Sequence, residues 1–327
     1  MFTDKNTWIA FISGTAVVVA ACGGCASVAV WSAPAKKASP GTSAAAHQAN
    51  QDFWQAFHGG HYDDIPHVLD ELTAAYLANP GDGQTAAHIG FTHTWRVSER
   101  ARLAAPSPTI TDDLVLSHKY FSEATQLVPS DVRFQGFLGG MELAEGTVHH
   151  DEKLVRRGYF DLLDAKDAWP EFNLFTAGYV LSGLPYTDDK YKDALEYQWQ
   201  TLDLCTDTHV DRKTADYARN MSMETLSGRK RVCWNSWIAP HNFEGFFLNM
   251  GDMLVKAGDP ETARHVYADA KLSKTYGTWP YRAVLEARIA QAPDNVALFR
   301  KPAAAAESTR AMMGATAFAC MACHQER

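Results

Sequence analysis

The chain has 327 residues, 46% of them hydrophobic. That is enough to bury a sizeable core in one large domain or two smaller ones. Its formal net charge of −8 excludes the basic face that nucleic-acid binding requires. The one dense basic run, Arg229-Lys230-Arg231, reads as a solvated turn.

At the N-terminus, Trp8 to Trp31 carries no charged side chain. As a helix rising about 1.5 Å per residue, this stretch is long enough to cross a bilayer core of roughly 30 Å. Tryptophans stand at both ends, where an aromatic belt places them. Val19-Ala20-Ala21-Cys22 also resembles the lipobox of bacterial lipoprotein signals, in which the cysteine is lipidated. Cleavage after Ala33-Pro34-Ala35 is a third alternative. Residues 1–35 are therefore expected to be a signal, lipoprotein or transmembrane anchor segment. Residues 36–50, rich in Lys, Ala, Ser, Pro and Gly, are expected to be a flexible linker. Lys36 and Lys37 oppose export, because the positive-inside rule keeps such residues cytoplasmic.

From residue 51 to residue 300 apolar residues recur at helical spacing, as at Ile65, Val68, Leu69, Leu72 and Tyr76. No long segment alternates with period two, so the fold class is all-α. Turn signals break the pattern at Asn79-Pro80-Gly81-Asp82, Pro106-Ser107-Pro108, Val128-Pro129-Ser130-Asp131 and Gly258-Asp259-Pro260. The breaks repeat: Ala75, Pro80 and Gly90 have the same spacing as Ala124, Pro129 and Gly139. Phe247, Met250, Gly251 and Leu254 fill W-x-x-L-G-x-x-Y slots, and Gly258, Ala263, Tyr267 and Ala270 continue the pattern.

This pattern resembles the tetratricopeptide repeat (TPR) family. The resemblance implies a solenoid of helical hairpins whose concave face binds a peptide or partner protein. Small residues let the paired helices approach, and the proline ends the second helix. His150–Glu244 matches the template poorly, and the proline expected after Ala270 is missing. Arg219–Asn242 reads as a long loop or irregular insertion, and such loops are often functional.

The sharpest motif is Cys320-Met321-Ala322-Cys323-His324 in the tail, residues 301–327. C-x-x-C-H resembles the haem-attachment segment of c-type cytochromes. The resemblance implies thioethers from Cys320 and Cys323 to the two porphyrin vinyl groups, with His324 as proximal iron ligand. A redox-active dithiol or half of a zinc site are the competing readings; the first lacks its strand-helix context and the second lacks a fourth ligand. Only Gln325, Glu326 and Arg327 follow, so any sixth ligand lies upstream or on a partner. The upstream candidates are Met312 and Met313, together with His58, His61, His67, His88, His93, His118, His149, His150, His209, His241 and His265. Each of these histidines is more often a surface or satisfied core residue.

Cys22-Gly23-Gly24-Cys25 has no following histidine and is no second haem site. Cys205 and Cys233 are expected to pair in an oxidising compartment, two buried thiols being the alternative. No phosphate-binding Gly-rich loop, H-E-x-x-H or nucleophile elbow is present. Asp63-Asp64, Asp112-Asp113 and Asp188-Asp189 are adjacent carboxylates that do not face one another on a helix, and they read as caps or solvated surface. The leading expectation is a membrane-tethered c-type cytochrome subunit of the bacterial periplasm or cell envelope. It would carry one haem c and exchange electrons with a partner protein that belongs to a membrane complex. An assembly scaffold with a structural or redox-sensing haem is one alternative, and a five-coordinate haem with peroxidase-like or gas-binding activity is another.

Overall fold

The computed structural model of the chain describes residues 26–105, 107–221, 223, 227–234, 244–301 and 311–324. Residues 1–37 and 38–327 form two separate compact units. In the first unit residues 26–31 are helical, with Val28, Val30 and Trp31 exposed. No helix among the described residues is long and apolar enough to cross a membrane. Most of the N-terminal apolar run, including Cys22 and Cys25, lies outside the described residues.

The second unit is all-helical among the described residues. The helices pair in chain order: α1 (Ala44–Gly59) with α2 (Ile65–Ala78), α3 (Gly83–Ser98) with α4 (Ile110–Leu127), and α5 (Val132–His149) with α6 (Glu152–Ala168). Then come α7 (Pro170–Leu181) with α8 (Asp189–Thr206) and α9 (Glu244–Ala257) with α10 (Pro260–Asp269). Helix α11 (Arg282–Phe299) closes the array against α9 and α10. Each pair also packs on the next, which gives a solenoid-like stack.

The turn signals act as helix starts. Asp82, Asp131 and Asp259 each accept backbone N–H bonds from the first turn of the helix that follows, so the orphan donors there are satisfied. Asp188 does the same for α8. Helix α1 begins at Ala44, inside the stretch read as a flexible linker. Ser43 caps it, and Ala46 and Ala49 are buried. An alanine-rich stretch has the composition of a tether but also the highest helix propensity.

The small-residue slots are where paired helices touch. A Cβ at Gly139 would stand 2.7 Å from the Gly158 carbonyl oxygen and the Leu162 amide, and one at Gly251 would enter the Tyr267 ring. Two larger cores result, among smaller clusters. One is built around Phe53, Leu72, Ile89, Trp95 and Phe134, the other around Tyr217, Phe247, Met250, Tyr267 and Trp279. Cys205 at the end of α8 is disulfide-bonded to Cys233, with Cα atoms 5.6 Å apart. This bond ties the segment 227–234 to α8, and there Val232 packs on Trp169 and Phe172.

Candidate functional site in the concave groove

The C-terminal segment does not trail from the solenoid; residues 311–324 run back across it and are largely buried. Asp252 anchors the start of the segment by accepting the Met313 N–H at 2.7 Å, while also accepting Tyr267 Oη–H at 2.6 Å. Arg288 lies 3.1 Å from the same carboxylate and donates to the Ala311 carbonyl. The motif itself forms a helical turn: Ala322 N–H donates to Phe318 O at 2.8 Å and His324 N–H to Cys320 O at 2.9 Å.

A short turn of this kind leaves donors open at its start. Here Glu99, at the end of α3 and fully buried, closes them. Its Oε1 accepts Cys320 N–H and Met321 N–H, both at 2.9 Å. Its Oε2 accepts Trp95 Nε1–H at 3.1 Å and Arg102 Nε–H at 2.7 Å. On the other flank Trp279 Nε1–H donates to Ala322 O at 3.1 Å. Gly245 lies so close that any Cβ there would collide with Ala322 O and, at 2.5 Å, with Cys323 Sγ. The turn is thus held from both halves of the solenoid: Met321 belongs to the first core, and Ala322 and Cys323 to the second.

Cys320, Cys323 and His324 share one cavity of about 1300 Å³ of unfilled space, its mouth included. Its walls come from α1, α3, α5 and α7, the first helices of successive pairs, so it is a groove along one side of the stack. Aromatic side chains dominate: Phe57, Phe91, Phe137, Phe172 and Phe175 line it. The ends differ. At one, Cys320 meets the Ser98 hydroxyl and Tyr179 stands near both thiols. At the other, 10 to 14 residues back along α3 and therefore about 15–21 Å away, lie His88, Gln84 and Arg133.

The electrostatics disfavour dithiol exchange. Burial, with the Glu99 carboxylate and Cys323 adding to it, pushes the Cys320 thiol well above its ordinary value. A dithiol that works by exchange needs a thiolate held low. Part of the Cys320 surface is open only to the cavity. Tyr179 is likewise raised by burial and keeps its proton. Among the described residues no group of three or more His, Cys, Asp or Glu is arranged to hold a metal ion, so the zinc reading has no cluster to rest on.

The other expected ligands are scattered. His67 and His209 are exposed beside Glu71 and Asp203. His93 contacts Asp113, and His118 bridges Glu142 and Glu145. His150 is the left-handed residue that ends α5, next to His149. His265 is exposed, and His241 lies outside the described residues. Met313 is buried in the second core and Met312 packs beside it; neither lines the cavity. His58 has its ring centroid 6.2 Å from that of His324, and with His61 it lines a second cleft that His324 and Met321 also border. Burial lowers the His58 pKa to about 4. Only His88, of the upstream candidates, lies on the wall of the cavity that holds the thiols. Glu99, Trp279 and Gly245, which position the motif, belong to no motif of their own in the sequence. Comparison with protein-family models, curated proteins and solved structures returned no match.

Proposed function

We propose that this chain is an exported, membrane-tethered c-type cytochrome subunit. One covalent haem occupies this groove of a TPR-like scaffold and exchanges electrons with a partner protein. The observation that carries this reading is the convergence of Cys320, Cys323 and His324 on a single cavity walled mainly by aromatic side chains. The residues fit the group. Two thiols and an imidazole stand at one end in the order that attachment requires, and aromatic walls suit the flat apolar ring; Arg133, paired with Asp131, stands at the far end.

When bound, a haem supplies one-electron redox chemistry at its iron. The chain's own residues do the rest. Cys320 and Cys323 would hold the group through thioethers, and His324 would supply an imidazole ligand to its iron. Glu99 and Trp279 fix the turn that carries all three. The phenyl walls exclude water, which raises the strength of every charge interaction inside. Membrane tethering rests on the sequence of residues 1–35, with Cys22 as the candidate lipidation site.

The test is expression with a c-type haem maturation system, followed by a pyridine haemochrome assay and the mass of the denatured chain. One covalent haem per chain is the expected result, lost in Cys320→Ser/Cys323→Ser. A chain that emerges from maturation at its unmodified mass overturns the proposal.

A further inference from the structure

We infer that Met141 is the second axial ligand of the haem, on the face opposite His324; this rests on the haem reading above. Three observations place it there.

The first is its level in the groove. Cys320 contacts Ser98, which marks the thioether edge of the ring. The iron of a porphyrin lies about one helical turn, on the order of 5 Å, in from that edge. One turn back from Ser98 along α3 is Thr94, and Thr94 Oγ1 lies 3.6 Å from Met141 Sδ.

The second is the wall it occupies. Thr94 and Trp95 are neighbours on one helix and so point about 100° apart. Trp95 faces α1: its ring is 5.1 Å from Phe57, whose ring is 4.8 Å from His324. Thr94 faces α4 and α5, with Ser117 Oγ at 2.7 Å and the Met141 sulfur beyond. His324, beyond Phe57, and Met141, beyond Thr94, therefore reach the groove from different walls.

The third is chemical. A thioether is neutral and soft, and the Thr94 hydroxyl beside the sulfur sets its direction. The competitor on the cavity wall is His88. It lies six residues further along α3 than Thr94, about 9 Å nearer the Arg133 end. Both of its ring nitrogens are engaged, Nδ1 with Asn50 Oδ1 and Nε2 with Gln84 Nε2 at 2.7 Å. His88 thus stands well back from the thiol end of the groove, beside Arg133.

Histidine–methionine ligation raises the reduction potential and closes the iron to exogenous ligands. That combination favours electron transfer over gas binding or peroxide chemistry.

The experiment uses the matured full-length chain and its Met141→Leu and Met141→His variants. Leucine conserves volume closely, so folding is expected to survive. Ferric wild type should show the near-infrared thioether-to-iron charge-transfer absorption. Met141→Leu should lose that band, gain carbon monoxide binding when reduced, and fall in potential. Met141→His should lose the band yet refuse carbon monoxide. A wild-type chain that carries covalent haem but lacks the band, or a Met141→Leu variant that keeps it, overturns the assignment. Absence of covalent haem altogether would instead overturn the haem reading.

Discussion

Among single residues, His88 shows how the groove controls charge. Burial, with the nearby Arg133 guanidinium adding to it, lowers its pKa from 6.5 to about 3. Asn50 and Gln84 hold the neutral ring in place. In the unfolded chain the same imidazole takes up a proton near pH 6.5, so acid favours unfolding through this residue. Its contribution to stability is complete above about pH 6.5 and is lost as pH falls toward about 3, at about tenfold in the folding equilibrium per pH unit. Between pH 7 and pH 5, the folding equilibrium constant of wild type should fall about 25-fold more than that of His88→Gln. Urea unfolding at the two pH values measures this, and equal losses would show that His88 is not held neutral. His88 was visible in the sequence only as one histidine among many. The thiols and His324 were legible because covalent attachment needs a fixed local spacing. Met141 and Glu99 were not, because a lone methionine or glutamate on an amphipathic helix has no spacing to read, and the partner of Glu99 lies 221 residues away.

Between elements, the helix pairs depend on glycines at their crossings. Gly139 on α5 and Gly158 on α6 face each other, and a Cβ at Gly158 would stand 2.6 Å from the Gly139 carbonyl oxygen. The obstacle is backbone, which cannot rotate aside, so Gly139→Ala must push the helices apart. The cost expected is about 1–3 kcal/mol, as for overpacking in a core. It outweighs the few tenths to about 1 kcal/mol that alanine gains in helix propensity. Chemical denaturation should show net destabilisation, and a neutral or stabilised variant would mean that the crossing is looser than described. This slot was readable in the sequence through its spacing from Ala124 and Pro129, as were the helix starts at Asp82, Asp131 and Asp259. The stretch from His150 to Glu244 was harder, although α6, α7 and α8 within it are regular. Helix α7 lines the groove with Phe172, Phe175 and Tyr179 while burying Leu174, Ala177 and Leu181 elsewhere, so its apolar residues go all round and leave no clear stripe.

In the whole molecule, the C-terminal segment changes what kind of object the stack is. A solenoid whose repeats touch only their neighbours is quasi-one-dimensional, and its ends can unfold independently. Here residues 311–324 join distant parts: Asp252 and Trp279 hold them to the second core, and Glu99 holds them to the first. The haem reading adds a cofactor bonded to that same segment and filling the groove between the helices. Both features predict one cooperative transition, in which tryptophan fluorescence and helical circular dichroism coincide during urea unfolding of the matured chain. Glu99→Ala tests the coupling. It strips the acceptor from Cys320 N–H, Met321 N–H and the Trp95 indole, and leaves Arg102 without this carboxylate partner. Arg102 is partly exposed and can be resolvated, so the cost is that of lost hydrogen bonds to a charged group, about 1.5–3 kcal/mol. Because the bonds to Cys320 and Met321 are the ones that join the two halves, the variant should unfold in two separated steps, the first half losing some stability as well, with the haem still covalently attached. A variant that unfolds in one coincident step at the wild-type midpoint would show that neighbour packing alone holds the stack together.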